Sequence, residues 1–292
     1  MTTNTQKKIG LVVEGGGMKC AYNAGILDAF LDEGITFDYC IGVSGGSGNL
    51  ASYLAGQRGR NLRFFTEHIH SQNYFGLRSL LKTGDLFGLK YIYGELTRKE
   101  GEDPLDFPAL MNNPAEYEIV VTNALTGLPE YYGREMMAQD DYRLIMASSA
   151  IPVACHPVEL NGVPYLDGGL TDAIPVRRAL EQGCGKLVVI LTRPSGYRTP
   201  PSPKAESRLW RRIYSRYPAF CRRLEQEEKI FNRQYEELER LQREGKAFLL
   251  CPTGRAKVGR LERDPQRLEA LYLEGRKAML DNLPALREFL AK

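Results

Sequence analysis

Histidine is scarce in this chain. Only His68, His70 and His156 occur among 292 residues, so a metal centre or catalytic relay built on several imidazoles has few candidates. His68 and His70 are two apart in a helical stretch and point to different faces, which excludes them as a metal pair. His156 is the only histidine near a predicted strand end. The six cysteines at 20, 40, 155, 184, 221 and 251 never reach Cys-x-x-Cys spacing, which argues against zinc ribbons and redox pairs and for a reduced, cytoplasmic chain. Long apolar runs are missing too. Ile9–Val13 is too short for a signal-peptide core of roughly 7–15 residues behind the polar start MTTNTQKK, and nothing approaches the roughly 18 residues of a membrane span. Excess charge of one sign is also absent: 39 Lys+Arg against 36 Asp+Glu leaves +3, which excludes a globally basic nucleic-acid binder and an acidic solvating tail.

What is present is an alternation of short apolar runs and helical patterns. Ile9–Glu14, Phe37–Val43, Glu118–Asn123, Lys186–Thr192 and Lys246–Cys251 read as buried strands, with helical spacing after the first two and near Tyr142–Ser149 and Pro175–Gln182. Strands alternating with helices predict a mainly parallel sheet covered on both faces. From Ser71 to Tyr117 glycines and aromatics interleave without a period, as in a lid, a binding loop or a satellite core. Past the stiff TPPSP segment, residues 204–244 are highly charged and helical, and Pro218 is expected to break that helix.

Gly42-Val43-Ser44-Gly45-Gly46 is a G-x-S-x-G between a strand and a helix. There a strained turn exposes a serine at the end of the sheet, with the positive end of a helix aimed at it and small residues two before and two after to avoid a clash. The alternative is an ordinary glycine-rich loop. Gly15-Gly16-Gly17-Met18-Lys19 occupies the same kind of strand-to-helix junction. Its amides could cradle a dinucleotide pyrophosphate, with Asp32, Glu33 or Asp38 as the ribose partner, or form an oxyanion hole. Only the oxyanion reading explains both motifs together. Asp167-Gly168-Gly169 is by itself a turn signal, but a serine nucleophile needs a base.

These three segments, in this order, resemble the patatin-like phospholipases, of a bacterial kind, over about residues 9–180. The resemblance implies a three-layer αβα fold with a mainly parallel central sheet and a Ser-Asp dyad. Ser44 would be the acyl-accepting nucleophile and Asp167 its proton acceptor. Gly15, Gly16, Gly17 and Met18 would surround the oxyanion and Lys19 would take the family's basic position, while Gly42, Gly46, Gly168 and Gly169 support the motifs. Two departures stand out: Cys20 replaces the glycine that usually ends the first motif, and Asp172 and Ala173 stand where relatives often carry Asn, making Asp172 a second candidate acid. An ionised aspartate can accept the serine proton, and the scheme needs no metal and no cofactor.

The expected activity is therefore a serine acyl hydrolase cleaving ester bonds of lipid-like acyl chains. The alternatives are a catalytically weak lipid-binding protein and a nucleotide- or anion-binding module. Residues 181–292 are expected to add sheet-completing strands and a helical C-terminal extension to the same globular unit. Within it, Arg198–Arg223 is basic and carries Trp210, Tyr214 and Tyr217 at helical spacing. Such a stretch suits peripheral contact with an anionic bilayer, or docking of its aromatics on the catalytic core with the arginines in water. A lipid or other acyl ester is the expected partner, and no nucleic acid.

Overall fold

Uninterrupted β-branched runs are apolar toward both sides of a strand, and such strands are stable only when both faces are covered. A computed structural model, which describes residues 7–201 and 203–291, shows how this is met. Residues 1–6 of the polar start, and the side chains of Lys204 and Glu206 in the basic stretch, lie outside the described residues. The strands are β1 (Lys8–Val13), β2 (Tyr39–Val43), β3 (Glu116–Asn123), β4 (Pro129–Gly133), β5 (Val158–Leu160), β6 (Val163–Asp167), β7 (Cys184–Ile190) and β8 (Ala247–Leu250). They form one sheet of order β5-β6-β3-β2-β1-β7-β8, with β4 also on β3. Pairings from β3 through β8 are parallel, and those of β4, β5 and β6 are antiparallel.

Helices cover both faces. In chain order they are α1 (Ala21–Asp32), α2 (Gly45–Leu54), α3 (Arg60–Thr66), α4 (Leu77–Thr83), α5 (Phe107–Asn112), α6 (Arg143–Ser148), α7 (Val176–Glu181), α8 (Lys204–Ile213), α9 (Pro218–Leu224), α10 (Glu227–Arg243), α11 (Pro265–Asp281) and α12 (Leu283–Ala291). Leu11 and Val13 of β1 join a core with α1, α2 and α11, while Val12 joins another with α7 and α10. This is a three-layer αβα fold with a mainly parallel central sheet. No described helix is long and apolar enough to cross a membrane.

Three features differ from the sequence reading. Strands β4, β5 and β6 escape it because they are only three to five residues long, and β6 carries Pro164, which argues against a central strand. The irregular segment 71–117 contains α4, a π-helical stretch Lys90–Leu96 and α5, with Tyr74 and Phe87 buried. The aromatic helical face is absent: α8 ends at Ile213 and the helix resumes at Pro218, whose ring suits the first position of α9. Tyr214 falls in the turn between them, where its hydroxyl accepts the Val153 amide proton at 2.7 Å and its ring packs edge-on against Phe220. Tyr214 thus docks this stretch onto the core.

Candidate active site

Ser44 sits between β2 and α2 with φ 54° and ψ −134°, a left-handed backbone that a non-glycine residue adopts only when its surroundings over-determine it. Close approach provides this. A Cβ on Gly42 would stand 2.6 Å from Ser47 Cα, one on Gly15 would stand 2.6 Å from Ser44 Cβ, and one on Gly46 would stand 2.7 Å from Val13 O. The Ser44 amide donates to Ser148 Oγ at 2.8 Å, and Ser148 Oγ donates onward to Val120 O at 2.6 Å.

Sheet register brings the aspartate to the serine. Val43 pairs with Val120, so the next residue, Ser44, reaches the level of Val121, and Val121 pairs with Asp167. Because β4 occupies Glu118–Thr122 on one edge of β3, β6 takes the other edge beyond the end of β2. The two strand ends meet there, and Ser44 Oγ donates to Asp167 Oδ2 at 2.7 Å. Asp167 Oδ1 accepts the Gly169 amide at 2.8 Å, and its carbonyl accepts from Thr122 Oγ1 at 2.8 Å. Gly168 packs its Cα against the Val120 carbonyl, where a Cβ would clash. Ser44 and Asp167 are 5% and 8% exposed. Burial pushes the Asp167 carboxyl above the usual range, opposed by the bonds from Ser44 and Gly169 and by the positive charge of Arg260.

The glycine-rich loop lies beside this pair. The amides of Gly15, Gly16 and Gly17 donate to no described residue, whereas the Met18 amide donates to Arg260 O at 3.1 Å. Met18, grouped by its motif with the oxyanion donors, therefore has its proton committed elsewhere. Lys19 is half-buried, and desolvation together with Arg193 and Arg260 lowers its pKa. Cys20 is buried, donates weakly to Glu14 O and packs its sulfur beside Gly45, filling the space between the two motifs.

Two cavities meet at Ser44. One is walled by Phe64, Phe65, Tyr74, Phe87, Leu89 and Ile92, so the aromatic segment 71–117 supplies much of its wall. The other is polar, with Glu14, Arg193, Glu227 and Arg260 around the glycine loop and Asp167. Buried Glu14 accepts the Thr192 amide at 2.6 Å and lies 3.7 Å from Arg193. Arg193 in turn stacks between Tyr197 and Phe231, its guanidinium carbon 4.6 Å from each ring. None of Glu14, Arg193 and Arg260 was singled out from the sequence. The position of Thr192 and Arg193 just past the carboxyl end of β7 was the available signal, because ligands of open α/β sheets bind at those ends. For Arg260 the sequence holds none.

The other candidates are occupied elsewhere. His156 Nδ1 is 2.7 Å from Asp85, and His68 Nε2 is 2.9 Å from Asp103, which also binds Arg63. His70 is exposed. Asp172 accepts from Tyr131 and Gln234 in a separate pocket that includes neither Ser44 nor Asp167. Of the acids considered as ribose partners, Asp32 pairs with Arg58 and Arg276, Glu33 with Arg287, and Asp38 accepts the Ile9 amide. All six cysteines are free.

Comparison with known proteins adds the following. The family model described as patatin-like phospholipase matches residues 11–180. A second, described as a domain of unknown function (DUF6363), matches residues 217–291. The uncharacterized protein YjjU of Escherichia coli (strain K12) is 34% identical over 197 residues, covering 66% of this chain and 54% of that protein. The chain thus spans about half the length of this curated relative. Among solved structures, VipD from Legionella pneumophila aligns with a TM-score of 0.49 and 14% identity, over 96% of this chain and 67% of that one.

Proposed function

This chain belongs to the patatin-like phospholipase family, a family of lipid acyl hydrolases, and on that premise we propose that it cleaves acyl esters through a Ser44–Asp167 dyad and an acyl-enzyme. The observation that carries the reading is the 2.7 Å bond from Ser44 Oγ to Asp167 Oδ2, at a strained serine where an apolar cavity and a polar cavity meet. In this reading the acyl chain enters the apolar cavity and the alcohol portion the polar one. Asp167 takes the proton as Ser44 Oγ attacks the ester carbonyl carbon. The negative oxygen of the tetrahedral intermediate then faces the open amides of Gly15, Gly16 and Gly17, a single such donor contributing about 3–4 kcal/mol. Collapse breaks the bond to the alcohol oxygen, which leaves with the proton from Asp167. In the second half Asp167 deprotonates a water that attacks the acyl-enzyme, and the proton returns to Ser44 as the fatty acid departs. The test is hydrolysis of a total lipid extract read by mass spectrometry: free fatty acid released by wild type and not by Ser44→Ala supports the reading, and equal release removes it.

Peripheral membrane contact is a further part of this proposal. It rests on Leu209 and Ile213, 50% and 45% exposed on α8, flanked by exposed Arg208 and Arg212. Flotation with anionic but not neutral liposomes, lost in Leu209→Ser/Ile213→Ser, is the expected result.

A further inference from the structure

Residues 251–264 join β8 to α11 and lie wholly within the segment matched by the domain of unknown function. This connection crosses the glycine-rich loop of the hydrolase half. Arg260 O receives the Met18 amide at 3.1 Å and lies against Gly17, which has φ +57°; a Cβ on Gly17 would stand 2.6 Å from that oxygen. The contact holds the loop in a left-handed turn that glycine adopts without strain, and it spends the Met18 donor while those of Gly15 to Gly17 stay open. The Arg260 side chain is exposed, and the residue lines the same polar cavity as Ser44 and Asp167. Glu227 and Phe231 of α10, from the same C-terminal segment, complete that wall.

We infer that the C-terminal segment completes the hydrolase site, with Arg260 as a positioning residue whose carbonyl sets the glycine loop and which lines the cavity shared by Ser44 and Asp167. The inference rests on the serine-hydrolase reading. It also has a chemical motive. A buried aspartate serves as base only while charged, burial opposes that charge, and Arg260 is the cation that favours it. The other titratable groups whose fields reach Asp167 are Cys20, Tyr93 and Cys155, beside the bonded Ser44. Glu14, Lys19, Arg193 and Glu227 surround the same loop and cavity. Arg193, Glu227 and Arg260 all lie beyond the residues that the patatin match covers, and Arg260 is the one of them whose charge acts on Asp167.

The experiment uses the full chain and p-nitrophenyl butyrate, with kcat and KM measured from pH 5 to 9 for wild type, Arg260→Gln and Arg260→Lys. Removing the cation raises the pKa of Asp167, so its base form is reached only at higher pH. Arg260→Gln is therefore expected to move the acidic limb of kcat/KM upward and to lower kcat at least fivefold at pH 6, with a smaller loss at pH 8.5. Arg260→Lys should restore the limb. A merely structural role would lower the rate equally at every pH and would not be rescued by lysine. If Arg260→Gln matches wild type across the range while wild-type Ser44 turns over, the inference fails alone. If wild type shows no Ser44-dependent turnover, the hydrolase reading falls and this inference with it. Deletion of residues 259–262, with the thermal midpoint recorded alongside, tests the carbonyl contact: a folded variant retaining full kcat would overturn that part.

Discussion

Ser148 Oγ accepts the amide proton of Ser44 at 2.8 Å, so the strained elbow is braced by a residue 104 positions later in the chain. Ser148 is fully buried at the end of α6 and passes its own proton to Val120 O. The brace ties the conformation of Ser44 to β3, the strand that also carries the partner of Asp167.

Ser148→Ala leaves the buried Ser44 amide unpaired. A loss of about 1–3 kcal/mol of stability is expected in urea unfolding, together with reduced kcat and little change in KM. Unchanged stability would show that the elbow holds itself.

Asp167→Asn keeps the shape and an acceptor for the Gly169 amide but removes the base. Turnover of a soluble ester is expected to fall roughly 100-fold or more. The native state no longer carries a desolvated charge, so the melting midpoint at pH 8 should hold or rise. Near-normal rates would take Asp167 out of the mechanism.

Much of this site is legible in the sequence because the chemistry is local. Gly42–Gly46 and Gly15–Lys19 each join a strand to a helix, and the residue types required by a tight turn are visible without knowing the fold. The partnership of Ser44 with Asp167 is different, because it depends on register across β3 and on two antiparallel strands too short to read. Arg260 and Ser148 make tertiary contacts that no spacing rule anticipates, and Arg193 is marked only by its place past the carboxyl end of β7. The aromatics of residues 71–117 lack a period because Tyr74, Phe87 and Tyr93 line the cavity while Phe75, Tyr91 and Phe107 pack against the core.

Asp172 separates the two candidate acids. Burial raises its pKa to about 6, above the ordinary aspartate value of about 3.9. The folded state therefore binds more protons than the unfolded one between about pH 4 and 6, and stability falls as pH rises through that window. Asp172→Asn lacks this dependence. It should be more stable than wild type above about pH 6, by up to about 3 kcal/mol, with the advantage gone below about pH 4 and turnover retained. Stability curves parallel at all pH values would contradict the burial argument, and loss of turnover would bring Asp172 into the mechanism.

Ile92, 4% exposed, lines the apolar cavity beside Ser44. Ile92→Ala should cost about 2–5 kcal/mol of stability and enlarge that space, raising the ratio of decanoate to butyrate turnover. An unchanged ratio would show that the acyl chain does not bind there.

The central claim is that Ser44 is an activated nucleophile, and covalent labelling addresses it most directly. Wild-type protein treated with a fluorophosphonate should gain the mass of one adduct on the intact chain, mapped to the peptide containing Ser44, while Ser44→Ala should gain none. Equal labelling of both proteins, or an unlabelled wild type that is folded, would contradict the account.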